Sequence, residues 1–376
     1  MSEPAAIMRP DMGTPFGDRL LGSIRATERA GLDALLVTPS ADLIYLCGYD
    51  APPFERLTCL VLRPGADPVL LVPELERPRA TASPAGERIE LAAWRDGDDP
   101  YAALAALLPR TARIAVTDTA WAVHLLGFQR AVPGAEWSAG SSVVSSLRVR
   151  KDPQELELLS RAARGADEAF RRLCDQRMDG LREEEVAASL DSLLRQFGHD
   201  TVEFTIVASG PNGASPHHEP GARPIRAGEG VVLDFGGTVG GYCSDISRTV
   251  VVERPPRGFS HVYDVVREAQ EAAFQAVRPG VAAEEVDAAA REIIAMAGYA
   301  DRFVHRTGHG IGLEVHEPPY LVSGNRQALE PGMCFSIEPG IYLEGRFGVR
   351  IEDIVTVTET GAQRLNRATR DLETVP

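Results

Sequence analysis

Apolar and polar positions change their rhythm near residue 150. Before that point short apolar runs such as "DALLVT" and "RIAVTD" predict buried strands, and "LTCLVLRPGADPVLLVP" predicts a hairpin about Pro64-Gly65. "PYAALAALLP" and "AWAVHLLGF" carry helical spacing, so residues 1–150 read as an α/β domain with a mixed sheet. At "RVRKDPQELELL" Asp152 is placed to cap a helix whose first residue is Pro153, with Glu155 closing a capping box. A long helix is expected from there to about Met178, and the stretch from Arg148 to Lys151 is the expected boundary of a second domain, 151–376.

That second domain repeats itself. "EEVAASLDSLLRQFG" from Glu184 and "EEVDAAAREIIAMAG" from Glu284 share paired acids, helical spacing and a closing glycine. "AGEGVVLDFG", ending at Gly236, and "PGMCFSIEPG", ending at Gly340, share glycines placed alike about an acid. Two related units are implied, each of helices followed by sheet, with Asp234 and Glu338 at equivalent places.

The acids interrupt apolar strands. "VVLDF" buries Asp234 in a strand, "GGTVGG" is expected to turn the chain, and "YCSDISRTVVV" returns with Asp245; "CFSIEPG" and "VRIEDIVTV" add Glu338 and Glu352. Four carboxylates on four strands converge if the halves face each other. Packed like charges demand protons or cations, and four of them suggest two divalent ions bridged by carboxylates, as in two-metal hydrolases. The competing reading pairs single acids with arginines, Asp245 with Arg248 or Glu352 with Arg350.

"HRTGHGIGLEVHEP", from His305, brings imidazoles to the same sheet. His309, flanked by glycines that let backbone approach an ion, is the nitrogen ligand by this reading, leaving His305 and His316 for proton transfer or oxyanion stabilisation. His124 reads as a packed side chain, and His199 and His261 as surface residues. Strand alternation puts Cys243 and Cys334 on the faces of Asp245 and Glu338, where close packing is the simpler role.

Composition narrows the classes. The 376 residues carry a net charge of −15 and are 44% hydrophobic, which excludes a disordered chain and disfavours nucleic-acid or anionic-membrane partners. No leader pattern opens the sequence and no long apolar run follows, so a cytoplasmic protein is expected. Five separated cysteines form no CxxC pair, so neither a disulfide framework nor a thiolate zinc site is expected. Lys151 is the single lysine.

With "SDISRT", "GHGIGLEVHE", "IEPGIY" and "VRIED" each holding its acid or histidine, the chain resembles the pita-bread (M24) metallopeptidases, in particular the Xaa-Pro group of aminopeptidase P and prolidase. The resemblance implies a creatinase-like N-terminal α/β domain before an α+β pita-bread catalytic domain with a pseudo-two-fold repeat. It implies a dinuclear site of Asp234, Asp245, His309, Glu338 and Glu352, with Asp245 and Glu352 bridging, Asp234 completing one site, and His309 with Glu338 the other. It further implies substrate-side roles for His217, chosen over His218, and for His316 and Arg350, with His305 at a further histidine position of the family. The implied chemistry is hydrolysis of the bond before proline in a small peptide with proline second, by a hydroxide bridging the metals, with Glu338 moving the proton. Mostly oxygen donors with one imidazole suit manganese, cobalt or iron(II) and also accept zinc; manganese is singled out by the resemblance. A homodimer or larger oligomer is implied, with Trp94, Trp121 and Trp137 as side chains that could reach a neighbouring subunit. Rival readings on the same fold are a creatinase-like amidinohydrolase, a metal-dependent lyase and a non-catalytic binding module. Methionine aminopeptidase shares the ligands but usually lacks the first domain.

Overall fold

The computed structural model describes residues 15–376, so most of the opening stretch read for a leader lies outside the described residues. The chain divides into two compact units, one ending at Arg148 and one beginning at Val149. Among the described residues no helix is long and apolar enough to cross a membrane.

The first unit is built on six strands, Ala34–Val37 (β1), Cys59–Leu62 (β2), Val69–Pro73 (β3), Glu90–Trp94 (β4), Arg113–Val116 (β5) and Glu136–Ala139 (β6), in the order β4-β3-β2-β1-β5-β6. The hairpin β2-β3 turns at Pro64-Gly65, where Gly65 adopts φ +73°. Parallel pairing of β1 with β5 and of β5 with β6 makes the sheet mixed. Helices Pro15–Arg29 (α1), Ala41–Cys47 (α2), Arg77–Ala82 (α3), Pro100–Ala105 (α4), Ala122–Ala131 (α5) and Ser141–Arg148 (α6) complete the unit. Their apolar faces and the strands enclose a core containing Leu36, Leu104, Ile114 and Phe128. His124 is packed, meeting the Tyr101 hydroxyl through Nδ1 and the Phe54 carbonyl through Nε2. Trp94 is buried and donates to the Leu57 carbonyl, so it is not available to a neighbouring subunit; Trp121 is 45% exposed.

In the second unit the capping box forms. Asp152 accepts from the amides of Gln154 and Glu155, the Glu155 carboxylate accepts from Asp152 N, and the helix Pro153–Cys174 (α7) follows. It stops short of Met178, whose amide donates instead to the carbonyl of Pro376. Glu183–Gln196 (α8) and Ala283–Met296 (α10) are equivalent helices. Each begins with a glutamate folded back on a backbone amide, Glu185 on Arg182 and Glu285 on Ala282, and each is followed by a glycine at positive φ, Gly198 and Gly298. Phe259–Ala276 (α9) packs on α10 as α7 packs on α8.

Each half carries a sheet. Thr201–Ser209 (β7), Gly230–Val239 (β8), Tyr242–Cys243 (β9) and Ile246–Val252 (β10) belong to the first half. Gly308–Gly310 (β11), Glu317–Leu321 (β12), Cys334–Ile337 (β13), Gly340–Leu343 (β14), Phe347–Arg350 (β15), Asp353–Val357 (β16) and Ala362–Arg364 (β17) belong to the second, and Thr374–Val375 (β18) closes the chain. The orders are β18-β10-β8-β7, with β9 on β8, and β12-β11-β13-β16-β17, with β14-β15 apart. Separate apolar cores lie under the halves, one around Leu190, Phe235 and Ile246, the other around Phe259, Ile294 and Phe335.

Three details differ from the sequence reading. The strand β8 continues through "GGTV" and the turn falls at Gly240-Gly241, because those two glycines take φ +58° and +82°. Only Asp234 lies within a strand. Asp245 and Glu352 immediately precede β10 and β16, and Glu338 follows β13 because Pro339 has no N–H to continue the ladder. His199 is buried, with Nε2 at 2.8 Å from Ser244 Oγ and Nδ1 on the Leu194 carbonyl, not a surface residue; His261 is exposed. The second unit also buries the single lysine, Lys151, against Glu317 at 2.6 Å.

Candidate metal centre and active site

The two halves contribute to one cavity of about 690 Å³. Its wall includes His217, Asp234 and Asp245 from the first half and His305, His309, His316, Glu338, Arg350 and Glu352 from the second. Asp245, His309 and Glu352 are buried and offer one donor atom each within 4.8 Å of one another.

His309 sets the polarity of the centre. A carbonyl only accepts, so the contact of Nδ1 with Gly310 O at 3.1 Å puts the ring proton on Nδ1. The lone pair of Nε2 then faces Asp245 Oδ2 at 3.6 Å and Glu338 Oε1 at 3.3 Å. Burial, with the neighbouring His316 adding to it, lowers the His309 pKa to about 3, so these contacts are not ion pairs near neutrality. A lone pair turned toward carboxylate oxygens requires a proton or a cation between them. The carboxylates make the same demand: burial first, then their neighbours' negative charges, raises Asp245 and Glu352 well above the ordinary range. Burial also raises Glu338 to about 7, against the pull of Arg350.

Three buried oxygens, Asp234 Oδ1, Asp245 Oδ1 and Glu352 Oε1, have no hydrogen-bond partner among the described residues. Buried acceptors left this way are costly unless something else satisfies them, and a hard divalent cation is the ligand that oxygen atoms of this kind take. The donor set therefore fits a metal. Asp234 directs its other oxygen to Arg350 Nη2 at 2.5 Å, and Arg248 pairs with Asp353, not with Asp245. The arginine pairing weighed for Asp245 and for Glu352 thus falls on other acids.

Arg350 is 3% exposed, and protein groups take four of its five N–H donors. Nε meets Ser247 Oγ at 2.8 Å, Nη1 meets the Tyr342 hydroxyl at 2.9 Å and Pro216 O at 3.4 Å, and Nη2 meets Asp234. Expected on the substrate side, it lines the cavity while its donors are largely engaged with neighbouring protein groups. Ser247 Oγ donates onward to Glu352 Oε2 at 2.9 Å, and Glu352 N donates to Ser247 O, which ties the halves together at the acid. His305 holds its ring proton on Nδ1 toward Arg306 O, so Nε2 accepts from the Tyr342 hydroxyl at 2.8 Å. Burial lowers its pKa to about 4.

Ser247 and Tyr342 were missed in the sequence. Ser247 stands two residues after Asp245, and Tyr342 lies in "IEPGIY"; only their contacts reveal them. His217 is exposed on the wall, whereas His218 is held by Glu183 at 2.8 Å. His316 is exposed with its ring centroid 4.1 Å from that of His309. Cys243 and Cys334 pack with Leu159 and Ala163 of α7, and burial raises the Cys334 thiol to about 11, which leaves it protonated and a poor ligand.

Two family models match the chain, the Creatinase/Prolidase N-terminal domain over residues 19–150 and Metallopeptidase family M24 over 157–359. It is 46% identical over 364 residues to "Probable dipeptidase PepE" of Mycobacterium bovis, covering 96% of this chain and 97% of that one. To an "Xaa-Pro dipeptidase" of Lactobacillus helveticus it is 38% identical, covering 92% and 95%. The crystal structure of dipeptidase PepE from Mycobacterium ulcerans superposes with a TM-score of 0.93 at 45% identity, covering 96% of this chain and 98% of that one.

Proposed function

Because the chain belongs to metallopeptidase family M24 and is a peptidase of its Xaa-Pro group, with a creatinase-like domain before a pita-bread domain, we propose that it is a dinuclear Xaa-Pro dipeptidase. Asp234, Asp245, His309, Glu338 and Glu352 would hold two divalent ions; the oxygen-rich donor set suits manganese, cobalt or iron(II), and the family resemblance favours manganese among them. The observation that carries this reading is the three buried carboxylate oxygens without a partner, on Asp234, Asp245 and Glu352, in the cavity wall that also holds the lone pair of His309. When bound, a pair of divalent ions supplies an activated water at neutral pH and polarises the scissile carbonyl.

The chain's own groups do the rest. Glu338 Oε1, 3.3 Å from His309 Nε2, takes a proton from the attacking water and passes it to the departing proline nitrogen. His217 and His316, both exposed to the cavity, donate N–H to the carbonyl oxygen and to the tetrahedral oxyanion that replaces it. Arg350, Tyr342 and His305 hold Asp234 in place and fix the floor on which the peptide lies. The cavity is of the size that suits a small ligand.

A homodimer is part of the proposal. Phe54 and Trp121, joined through His124, present apolar surface with Val123 and Leu126, which are 50% and 53% exposed.

The test is an assay of metal-stripped and manganese-loaded protein on an Xaa-Pro dipeptide, an Xaa-Pro-Yaa tripeptide and a dipeptide without proline. Fast, manganese-dependent cleavage of the first alone is expected. Cleavage that survives complete metal removal, or a loaded enzyme indifferent to proline, contradicts the proposal.

A further inference from the structure

The wall of the cavity holds five carboxylates, and four of them, Asp234, Asp245, Glu338 and Glu352, belong to the candidate metal centre. Glu203 is the fifth. It is exposed, its Oε1 accepts from Thr201 Oγ1 at 2.7 Å, and among the described residues no cation pairs with it.

An irregularity in the sheet brings it there. On β7, Val202 faces Gly237 and Phe204 faces Gly236, so Glu203 is an extra residue between two successive positions of β8. In a regular strand Glu203 would point away from Phe204 and Ile206, to the face of Thr205. The bulge turns it to their side instead: Glu203, Phe204 and Ile206 line the cavity, and Thr205 does not. Ile206 lies directly opposite Asp234, so the wall runs outward from the metal centre as Ile206, Phe204 and then Glu203, no more than about 10 Å along the strand at about 3.3 Å per residue. Val315, half-buried like Phe204 and Ile206, widens the apolar stretch. Glu314, the residue before it, adds negative charge nearby: the Cys243 thiol, raised first by burial, is raised further by both Glu203 and Glu314.

An apolar run that ends in a carboxylate matches one kind of side chain, a long aliphatic stem with a cationic head. We infer that Glu203 binds the side chain of the substrate's first residue and gives the enzyme a preference for lysine or arginine before proline, an inference that rests on the Xaa-Pro dipeptidase reading above. The substrate's α-ammonium is the other cation at hand. It is attached to the same carbon as the scissile carbonyl, which holds it at the metal centre and short of Glu203.

The experiment compares Lys-Pro, norleucyl-proline and Glu-Pro on manganese-loaded wild type, Glu203→Gln and Glu203→Lys, with metal content and far-UV circular dichroism as checks on folding. Norleucine is lysine without its ammonium, so the ratio of kcat/KM for Lys-Pro to that for norleucyl-proline isolates the charge. Wild type should favour Lys-Pro about fivefold, the scale of an exposed ion pair, and by less in high salt. Glu203→Gln should bring the ratio to about one, and Glu203→Lys should put Glu-Pro ahead of Lys-Pro. A wild type that favours norleucyl-proline, or a ratio that survives Glu203→Gln, overturns the inference; a fall shared by all three dipeptides with the ratio intact assigns Glu203 to the α-ammonium instead. Calorimetric binding of the same dipeptides separates the inference from the peptidase reading. Tighter binding of Lys-Pro that is lost in Glu203→Gln, with no dipeptide cut, refutes the peptidase alone. Cleavage without preference refutes the role of Glu203 alone, and binding of none of the three refutes both.

Discussion

Glu338→Gln should stabilise the metal-free protein while destroying its ability to work. In the absence of metal, burial lifts the Glu338 pKa from 4.5 to about 7. At about 1.36 kcal/mol per pH unit, an ionised Glu338 then costs the folded state about 3 kcal/mol. The folded value lies above the unfolded one, so the penalty is absent below about pH 4.5, grows as the pH rises and is complete above about pH 7. Glutamine has the same shape and no charge to bury, so the variant's advantage over wild type should follow that curve, from near zero at pH 4.5 to about 3 kcal/mol at pH 8. Urea unfolding of chelator-treated protein, followed by far-UV circular dichroism, measures it. Tryptophan fluorescence would follow the wrong unit, since Trp94, Trp121 and Trp137 all lie before residue 149. Adding manganese should reverse the ranking, because only the wild type keeps the full donor set. A variant less stable than wild type at pH 8, or a difference that does not change with pH, refutes the picture of a carboxylate cage held together at an electrostatic cost.

Asp245→Ala should abolish peptidase activity and deplete bound metal in a folded protein, checked by elemental analysis beside the assay; an active variant lacking metal rules out the site. His217→Ala should keep both metals and lose roughly 10²- to 10³-fold in kcat, the usual loss for an oxyanion donor; loss of metal instead would place His217 among the ligands. Lys151→Met leaves Glu317 without its buried cation, the two side chains being 1% and 4% exposed. Unfolding by urea should show a loss of about 3–5 kcal/mol, and a loss below about 1 kcal/mol would mean that the pair contributes little.

What the sequence revealed followed from local chemistry. Asp152, Pro153 and Glu155 signal a helix start on their own, and the glutamate pairs at 184 and 284 signal a repeat because both helices need the same cap. Acids inside apolar runs marked Asp234 and Glu352 because burying them needs a reason. What escaped was settled by distant partners. The end of α7 depends on Met178 reaching Pro376, His199 is buried because Ser244 meets its ring, and Trp94 is sealed by the Leu57 carbonyl. The arginine pairings escaped too. Proximity in sequence suggested Arg350 with Glu352, but β15 ends at Arg350 and the guanidinium crosses to Asp234 in the other half, a partner 116 residues away. Tyr342 gave no signal because a tyrosine in a strand is ordinarily core, and only its contacts with His305 and Arg350 give it another part.

The solitary lysine turns the second unit into its own opening reporter. Any amine-directed reagent meets no lysine on the outside of the folded chain, so acylation at position 151 records only those moments when the bond to Glu317 is broken and water enters. Its rate, read by mass spectrometry with and without added manganese, would measure how far metal suppresses opening around Glu317 without any engineered label.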